Sequence, residues 1–392
     1  MGHSEGGRSV AKPAIDLGRT VDWKDGVVKR LTGGVSGLLR KARTRTMQGK
    51  ATVVDGKTVD VETADGPVRI RTENLVIATG SVPFELPFLP FGGKVISSTH
   101  ALALRQVPKA LAVVGGGYIG LEIGTAMAKL GANVTVVEAA ERILPQYDAE
   151  LTAPVSARIA KLGIAVHISA KARGLSKDGK SLAVETIDGA IDIPADFILV
   201  TVGRKPVTQG FGLETLGLTM NGAHIAIDQR CATSMHGVYA IGDVTGDPML
   251  AHRAMAQGSL VAEVVAGQAK AWDKHAIPAV CFTDPEIVVV GKLPSEAEGA
   301  KSSVFPFAAN GRSMTMERSD GLIRIVSDPS NDLVLGIQAV GQGVSEMAAQ
   351  FVLAIEMAAT LTDIADTIHA HPTLGETLQE AALKGLGRAL HI

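Results

Sequence analysis

The chain has 392 residues, 46% of them hydrophobic and 20% charged, with 38 basic side chains against 40 acidic. A chain of this length is expected to form two or three domains, and the even charge balance excludes the basic footprint of a nucleic-acid binder or of a protein held on an anionic membrane. No charge-free apolar run reaches 18 residues and the opening MGHSEGGRSV has no signal-peptide core, so a cytoplasmic protein with small-molecule ligands is expected.

From about residue 50, short apolar strands alternate with helical stretches, the pattern of an α/β protein with a largely parallel sheet. The first clear piece is NLVIATGSVP, 74–83, a strand followed by a glycine and a proline. Next come a buried strand over Ala110 to Val114, a helix over Ile119 to Leu130 closed by Gly131, and a strand over Val134 to Val137. FILVTVGRKP, 197–206, then repeats the first piece, with Gly80 and Gly203 123 residues apart. In the second copy a glycine-rich turn opens at Gly115, and the same offset places its counterpart in the first copy upstream of Met1. The pattern therefore predicts two nucleotide-binding halves, the first truncated at its N-terminus. GVYAIGDVTGDPMLAHRAMAQG, 237–258, reads as a strand running into Gly242 and Asp243, with a helix from about Leu250. Beyond residue 272 the texture becomes that of an α+β domain, with strands expected at 286–291, 302–307, 321–327 and 333–340 and helices near 344–359 and 374–388. Val344, Met347, Ala348, Phe351, Ile355 and Ala358 form one apolar stripe, expected to serve core or subunit interface.

GGGYIG matches G-x-G-x-x-G through Gly115, Gly117 and Gly120, between a strand and a helix. Gly115 permits the tight turn, Gly117 lets backbone approach a pyrophosphate, and Gly120 allows close packing of helix on strand. Glu138, 18 residues after Gly120, stands where a carboxylate accepts from both ribose hydroxyls of NAD and repels the 2′-phosphate of NADP. Gly203 at a strand end reads either as a ligand contact or as an ordinary turn ahead of Pro206. Asp243 reads either as a ligand-binding carboxylate or as the cap of the helix that follows. Cys231 and Cys281 are fifty residues apart, a spacing that fits neither a disulfide framework nor a metal site, and both are expected to be buried thiols. No metal is expected. His371 stands one residue before Pro372 and five before Glu376.

Seven pieces in order carry a resemblance: DWKDGVVKRLTGGVSGLL (22–39), LVIATGSVPFELPFLPFGGKVISST (75–99), GGGYIGLEIG, VGRKP, YAIGDV with MLAHRA, FTDPEI (282–287) and HAHPTLGE (369–376). Spread over essentially the whole chain, they resemble the FAD-dependent pyridine nucleotide-disulfide oxidoreductase family in its dihydrolipoyl dehydrogenase branch. The resemblance implies an α/β, two-Rossmann-type FAD/NAD(P)-binding fold, N-terminally truncated, plus a C-terminal α+β dimerisation domain. Its implied divisions are 1–102 (partial FAD-binding), 103–225 (NAD-binding), 226–272 (returning FAD-binding) and 273–392 (dimerisation). It also implies that Gly49 approaches the adenine side of FAD, that Thr79, Gly80 and Ser81 lie along FAD, and that Asp243 holds the ribityl chain. Met249, Leu250, Ala251 and His252 would adjoin the isoalloxazine ring. Gly115, Gly116, Gly117, Tyr118, Ile119, Gly120, Leu121 and Glu122, with Glu138 and Gly203, would bind NAD.

The reaction implied is oxidation of dihydrolipoamide, carried on an acyltransferase subunit, with electrons passing through FAD to NAD⁺. It would be run by a homodimer in which His371, oriented by Glu376, reaches the other subunit as acid/base. An imidazole with a pKa near 6.5 suits that role, because a thiol must lose its proton before it attacks. The chain departs from the family in three respects. The sequence contains neither the family's glycine-rich FAD turn nor its two redox cysteines four residues apart; Gly375 replaces a serine; and Val207 and Thr208 stand where GRxPN members place asparagine. Two rival readings are a catalytically inactive NAD-binding dimerisation module and a reductase of another disulfide or of mercuric ion, and KDGVVKRLTGGVSGLL argues against the latter.

Overall fold

A computed structural model of the chain describes residues 14–392, so the opening MGHSEGGRSV lies outside the described residues. The chain divides into two compact units: Glu85–Val202 with Lys274–Ile392 and the residues up to Gly18, and Arg19–Phe84 with Gly203–Asp273.

The first unit is built on a five-stranded parallel sheet in the order Val95–Ile96, Phe197–Val200, Ala110–Val114, Asn133–Val137, Ala165–His167. Its central strands are unbroken apolar runs because both faces are covered: Leu111, Ala112, Val113, Ile198, Leu199 and Val200 are all buried. The expected helix spans Tyr118–Leu130, and Gly131 closes it in the left-handed conformation. The strands and the helix between them agree with the sequence reading to within one residue.

The same unit contains a second five-stranded sheet, antiparallel, in the order Ala279–Cys281, Glu286–Gly291, Val334–Gly341, Leu322–Ser327, Lys301–Pro306. Four of its strands were expected; Ala279–Cys281 and the short helix Leu361–Asp366 were not. The helix near 374–388 spans Glu376–Gly385. The segment at 344–359 is a 3-10 turn, Val344–Met347, followed by a helix over Ala348–Glu356. Its apolar stripe holds through Phe351, whereas Ile355 is half-buried and Ala358, past the helix end, is exposed. One core cluster joins the two sheets, since Leu111, Val134 and Leu151 pack in it with Cys281, Ile287 and Val340. Asp284, 6% exposed, ties them electrostatically: it accepts from Lys129 Nζ at 2.8 Å, from Arg158 Nε at 3.2 Å and from Arg318.

Parallel pairing does not hold throughout. Lys171–Leu175, Ser181–Thr186 and Gly189–Pro194 form a three-stranded antiparallel sheet, and in the second unit Lys50–Asp55, Thr58–Thr63 and Gly66–Arg71 form another. The expectation of strand and helix alternation from residue 50 is thus corrected. The physical reason is turn chemistry: an Asp-Gly dipeptide lies in or beside the turn of each of these four hairpins, at 55–56, 65–66, 178–179 and 188–189, and such turn residues between β-branched runs favour a hairpin over a helical crossover. The offset of 123 residues found between Gly80 and Gly203 also relates Gly56 to Gly179 and Gly66 to Gly189. The repeat is therefore longer than the strand and glycine that revealed it.

In the second unit Leu75–Ile77 pairs in parallel with Val238–Ala240. The two post-glycine segments, Ser81–Pro83 and Arg204–Pro206, pair antiparallel with each other. Two reciprocal hydrogen bonds extend that pairing, Phe84 N–H to Gly203 O at 3.0 Å and Val207 N–H to Gly80 O at 2.9 Å. Gly80 has φ +68° and Gly203 φ +129°, a backbone that favours glycine at both equivalent turns. A helix spans Leu17–Lys41, and all of it from Arg19 on belongs to the second unit.

Candidate functional site

The glycine-rich turn begins where the strand Ala110–Val114 ends. A Cβ on Gly120 would lie 2.3 Å from Gly115 O and 2.6 Å from Thr201 Oγ1, so the helix can sit this close to the strand only with hydrogen there. A Cβ on Gly117 would meet nothing within 4 Å. Gly117 is also the N-cap of the helix, and no side chain caps it. Open space over uncapped N–H groups at a helix start is what an incoming pyrophosphate requires, so these residues fit the dinucleotide that the sequence implies. Tyr118 and Ile119 lie in the first turn, and Leu121 is buried beneath it. Glu138 is oriented by backbone: Oε2 accepts from Gly116 N–H at 2.6 Å and Oε1 from Ala140 N–H at 2.7 Å. A carboxylate offers about four acceptor sites, so capacity remains for ribose hydroxyls. Glu122 accepts from Phe282 N–H at 2.8 Å. Burial pushes its carboxyl above the usual range and that N–H partly offsets the push.

The second group of residues lies in the other unit. Asp243 does not cap the helix after it, because that helix spans Ala251–Val265 with Leu250 as its N-cap, and Asp243 sits in a separate 3-10 turn, Gly242–Thr245. Its Oδ2 instead accepts from the Ser81 hydroxyl at 2.5 Å. Arg204 holds Ser81 from the other side, Nε to Oγ at 2.7 Å and Nη2 to the carbonyl at 2.8 Å. The sequence reading missed Arg204 as a site residue. Thr79 Oγ1 donates to Val207 O at 2.6 Å. The helix Ala251–Val265 starts without a side-chain cap, with Met249 and Leu250 half-buried and Ala251 and His252 exposed beside it. Around Gly80 and Gly203 an added Cβ would meet nothing within 4 Å. A carboxylate, an uncapped helix start and the open turn at Gly80 fit a flavin dinucleotide's hydroxyls and phosphates, while the open turn at Gly203 leaves room for a second nucleotide. Gly49 differs: a Cβ there would lie 2.3 Å from Glu62 O, so its size serves the packing of the first hairpin.

The third group is the pair at the C-terminus. His371 Nδ1 lies 2.9 Å from Glu376 Oε1, with the His371 side chain 80% exposed and that of Glu376 24% exposed. Glu376 Oε2 accepts from Thr373 N–H at 2.7 Å, so both carboxylate oxygens are engaged and the ring is held through one nitrogen. Burial pushes the Glu376 carboxyl up, but the Thr373 N–H and the His371 ring more than offset it, leaving the group below its ordinary value. Nε2 of His371 is thereby left for chemistry. Gly375 acts as the N-cap of the helix Glu376–Gly385 with ordinary helical φ and ψ, and the two partners still meet without the family's serine.

Neither cysteine is placed for redox work. Cys231 is 2% and Cys281 1% exposed, and burial pushes each thiol up to about 11. Thiolate, the reactive form, is therefore scarce at neutral pH. Among the described residues no cluster of His, Cys, Asp or Glu could hold a metal ion, and no helix is long and apolar enough to cross a membrane.

Comparison with known proteins gives the family. Residues 2–258 match the pyridine nucleotide-disulphide oxidoreductase family and residues 277–382 match the dimerisation domain of that family. The dihydrolipoyl dehydrogenase of Pseudomonas aeruginosa is 55% identical over 98% of this chain and 84% of its own length, and that of Geobacillus stearothermophilus is 43% identical over 100% and 85%. Among solved structures, LpdA of Mycobacterium tuberculosis superposes with a TM-score of 0.86 at 26% identity, covering 95% of this chain and 84% of the other. The chain belongs to the pyridine nucleotide-disulphide oxidoreductase family, whose cofactors are FAD and NAD, and carries its C-terminal dimerisation domain.

Proposed function

We propose that the chain is a dihydrolipoyl dehydrogenase-type oxidoreductase, taking electrons from dihydrolipoamide on an acyltransferase subunit and delivering them to NAD⁺ as a cytoplasmic homodimer. The single observation that carries this reading is the His371–Glu376 pair, 2.9 Å apart, in a chain 55% identical to a dihydrolipoyl dehydrogenase. In this reading residues 103–225 bind NAD through Gly115 to Glu122, Glu138 and Gly203. Residues up to 102 and 226–272 cradle FAD through Gly49, Thr79, Gly80, Ser81, Asp243 and Met249 to His252. Residues 273–392 form the dimer contact.

FAD, when bound, supplies the two-electron relay between sulfur and nicotinamide. The chain's own residues bind, orient and move protons. Glu138 favours NAD over NADP by accepting from hydroxyls where a phosphate would be repelled. Glu376, held ionised, fixes the His371 ring through Nδ1 and stabilises the imidazolium once Nε2 has taken a proton from a thiol. Thr373 N–H keeps the carboxylate from turning away. The sequence has no cysteine pair four residues apart, and the buried Cys231 and Cys281 do not supply the sulfur relay, so in this chain the dihydrolipoamide dithiol would itself close to its disulfide, giving its protons to His371 and solvent and its two electrons to bound FAD.

The test is to load the protein with FAD and to assay NAD⁺ reduction by dihydrolipoamide beside NADH oxidation by an artificial electron acceptor. General acid/base help is worth roughly 10²- to 10⁴-fold, so His371→Gln should lower the first rate by that factor and leave the second unchanged. An unaltered protein that binds both cofactors yet shows no dihydrolipoamide-dependent rate would overturn the assignment.

A further inference from the structure

We propose that Arg204 is a positioning residue for Asp243, acting through the Ser81 hydroxyl to aim the carboxylate before flavin arrives. The inference rests on the reading of Asp243 as the group that holds the ribityl chain. Its geometry is local to one unit. Antiparallel pairing of Ser81–Pro83 with Arg204–Pro206 brings the guanidinium beside Ser81, where Nε reaches Oγ at 2.7 Å and Nη2 reaches the carbonyl at 2.8 Å.

The direction of the hydrogen bonds follows from chemistry. Guanidinium can only donate. Ser81 has one hydroxyl proton; accepting from Arg204, it sends that proton to Asp243 Oδ2 at 2.5 Å. The serine therefore has one orientation in place of several. Oδ1 of Asp243 accepts no hydrogen bond among the described residues and keeps its capacity for a ligand hydroxyl. The backbone of the Asp243 turn is secured separately: Gly242 N–H donates to the buried Gln257 at 2.8 Å, and Arg253 donates to Gly246 O at 2.6 Å and to Thr245 Oγ1 at 3.1 Å. What remains to be fixed is the Asp243 side chain, and the Arg204–Ser81 pair fixes it. A group already held in its binding orientation loses less freedom when the ligand binds.

The experiment titrates FAD into the flavin-free protein and follows flavin fluorescence for the unaltered chain, Arg204→Met, Arg204→Lys, Ser81→Ala and the double variant Arg204→Met/Ser81→Ala. NADH affinity and the urea midpoint of each flavin-free protein are measured alongside. Losing one charge-assisted hydrogen bond should weaken FAD binding about tenfold. Arg204→Met and Ser81→Ala should each show that loss, and the double variant no more than either, because the two residues act in series. Arg204→Lys should recover part of it, and NADH affinity should stay within about twofold. A merely structural role would instead lower the midpoint, weaken both nucleotides together and make the double variant additive; that pattern, or undiminished FAD affinity in the single variants, would overturn the proposal. Should Arg204→Met not fold, Ser81→Ala alone decides by the presence or absence of the tenfold loss. If the unaltered chain binds no FAD, the flavin reading of Asp243 falls and the inference with it, an outcome visible before any variant is made.

Discussion

The two copies of the repeat share local structure and differ in surroundings. Each has a three-stranded antiparallel sheet closed by Asp-Gly turns, then a short parallel strand, a glycine at positive φ and a proline-containing strand. In the second copy the parallel strand Phe197–Val200 has a parallel neighbour on each side, and Leu199 is 0% exposed. In the first copy Leu75–Ile77 has one neighbour, and Val76, the position equivalent to Leu199, is 40% exposed. Sequence of the same kind produces the same backbone path in both, while the energy holding each strand comes from what lies against it. The second copy should therefore be the stable one.

The largest expected effect lies at the tie between the second copy's sheet and the C-terminal sheet. Asp284 is buried among Lys129, Arg158 and Arg318. Replacing it by alanine leaves three cations with no shared partner, and removing one member of a buried ion pair costs about 4 kcal/mol. Burial pushes the Asp284 carboxyl up, but Lys129 and Arg318 dominate and bring it down to about 2, from 3.8. A folded-state value below the unfolded one means the stabilisation is complete above about pH 4 and is lost as pH falls from there toward 2. Urea midpoints measured by far-UV circular dichroism at pH 7 and at pH 3 should thus differ more for the unaltered chain than for Asp284→Ala. By contrast, the first copy's Arg69–Asp60 pair is exposed on the surface, and Asp60→Ala should leave the midpoint unmoved.

Next in size is the direct comparison of equivalent strand positions. Leu199→Ala opens a cavity in a closed core and should cost about 3 kcal/mol. Val76→Ala removes methyl groups that already meet solvent, and the expected cost is about 0.5 kcal/mol. Trp23 and Trp272, the chain's two tryptophans, both lie in the second unit, so their fluorescence reads that unit while circular dichroism reads both. Equal losses at the two positions would break the comparison.

Legibility in the sequence followed the range of the interactions. The turn at Gly115 to Gly120 and the helix that Gly131 ends were readable because a few adjacent residues determine them. The Asp-Gly hairpins rest on signals equally local, which the sequence reading did not use. The helix Leu361–Asp366 also carried a signal, the capping box of Thr360 and Asp363. Arg204 was not legible, since its partner Ser81 is 123 residues away and only the pairing of two short strands brings them together. Asp284 stands within FTDPEI, but its three cations come from distant segments and nothing in that motif announces them. The His371–Glu376 contact was legible at five residues' separation; the Thr373 N–H that holds the carboxylate was not.

The smallest effect sharpens the comparison at the level of binding. GGGYIG occurs once in the 392 residues, and the turn it forms belongs to the second copy. Affinity for NADH should therefore follow Glu138 and be indifferent to changes in the first copy. Glu138→Gln keeps the size of the side chain but removes the charge that faces a 2′-phosphate, and its amide NH₂ must meet one of the two N–H groups, Gly116 or Ala140, that the carboxylate now satisfies. One weakened ribose contact and one mispaired donor together should weaken NADH about tenfold, while NADPH, relieved of repulsion, should bind more tightly than before. The ratio of the two dissociation constants, read by nicotinamide fluorescence, isolates the charge from any general loosening of the turn, because loosening would weaken both nucleotides alike. Val76→Ala serves as the control from the first copy: a change in its NADH affinity beyond about twofold would show that the two copies are coupled in binding as well as related in sequence.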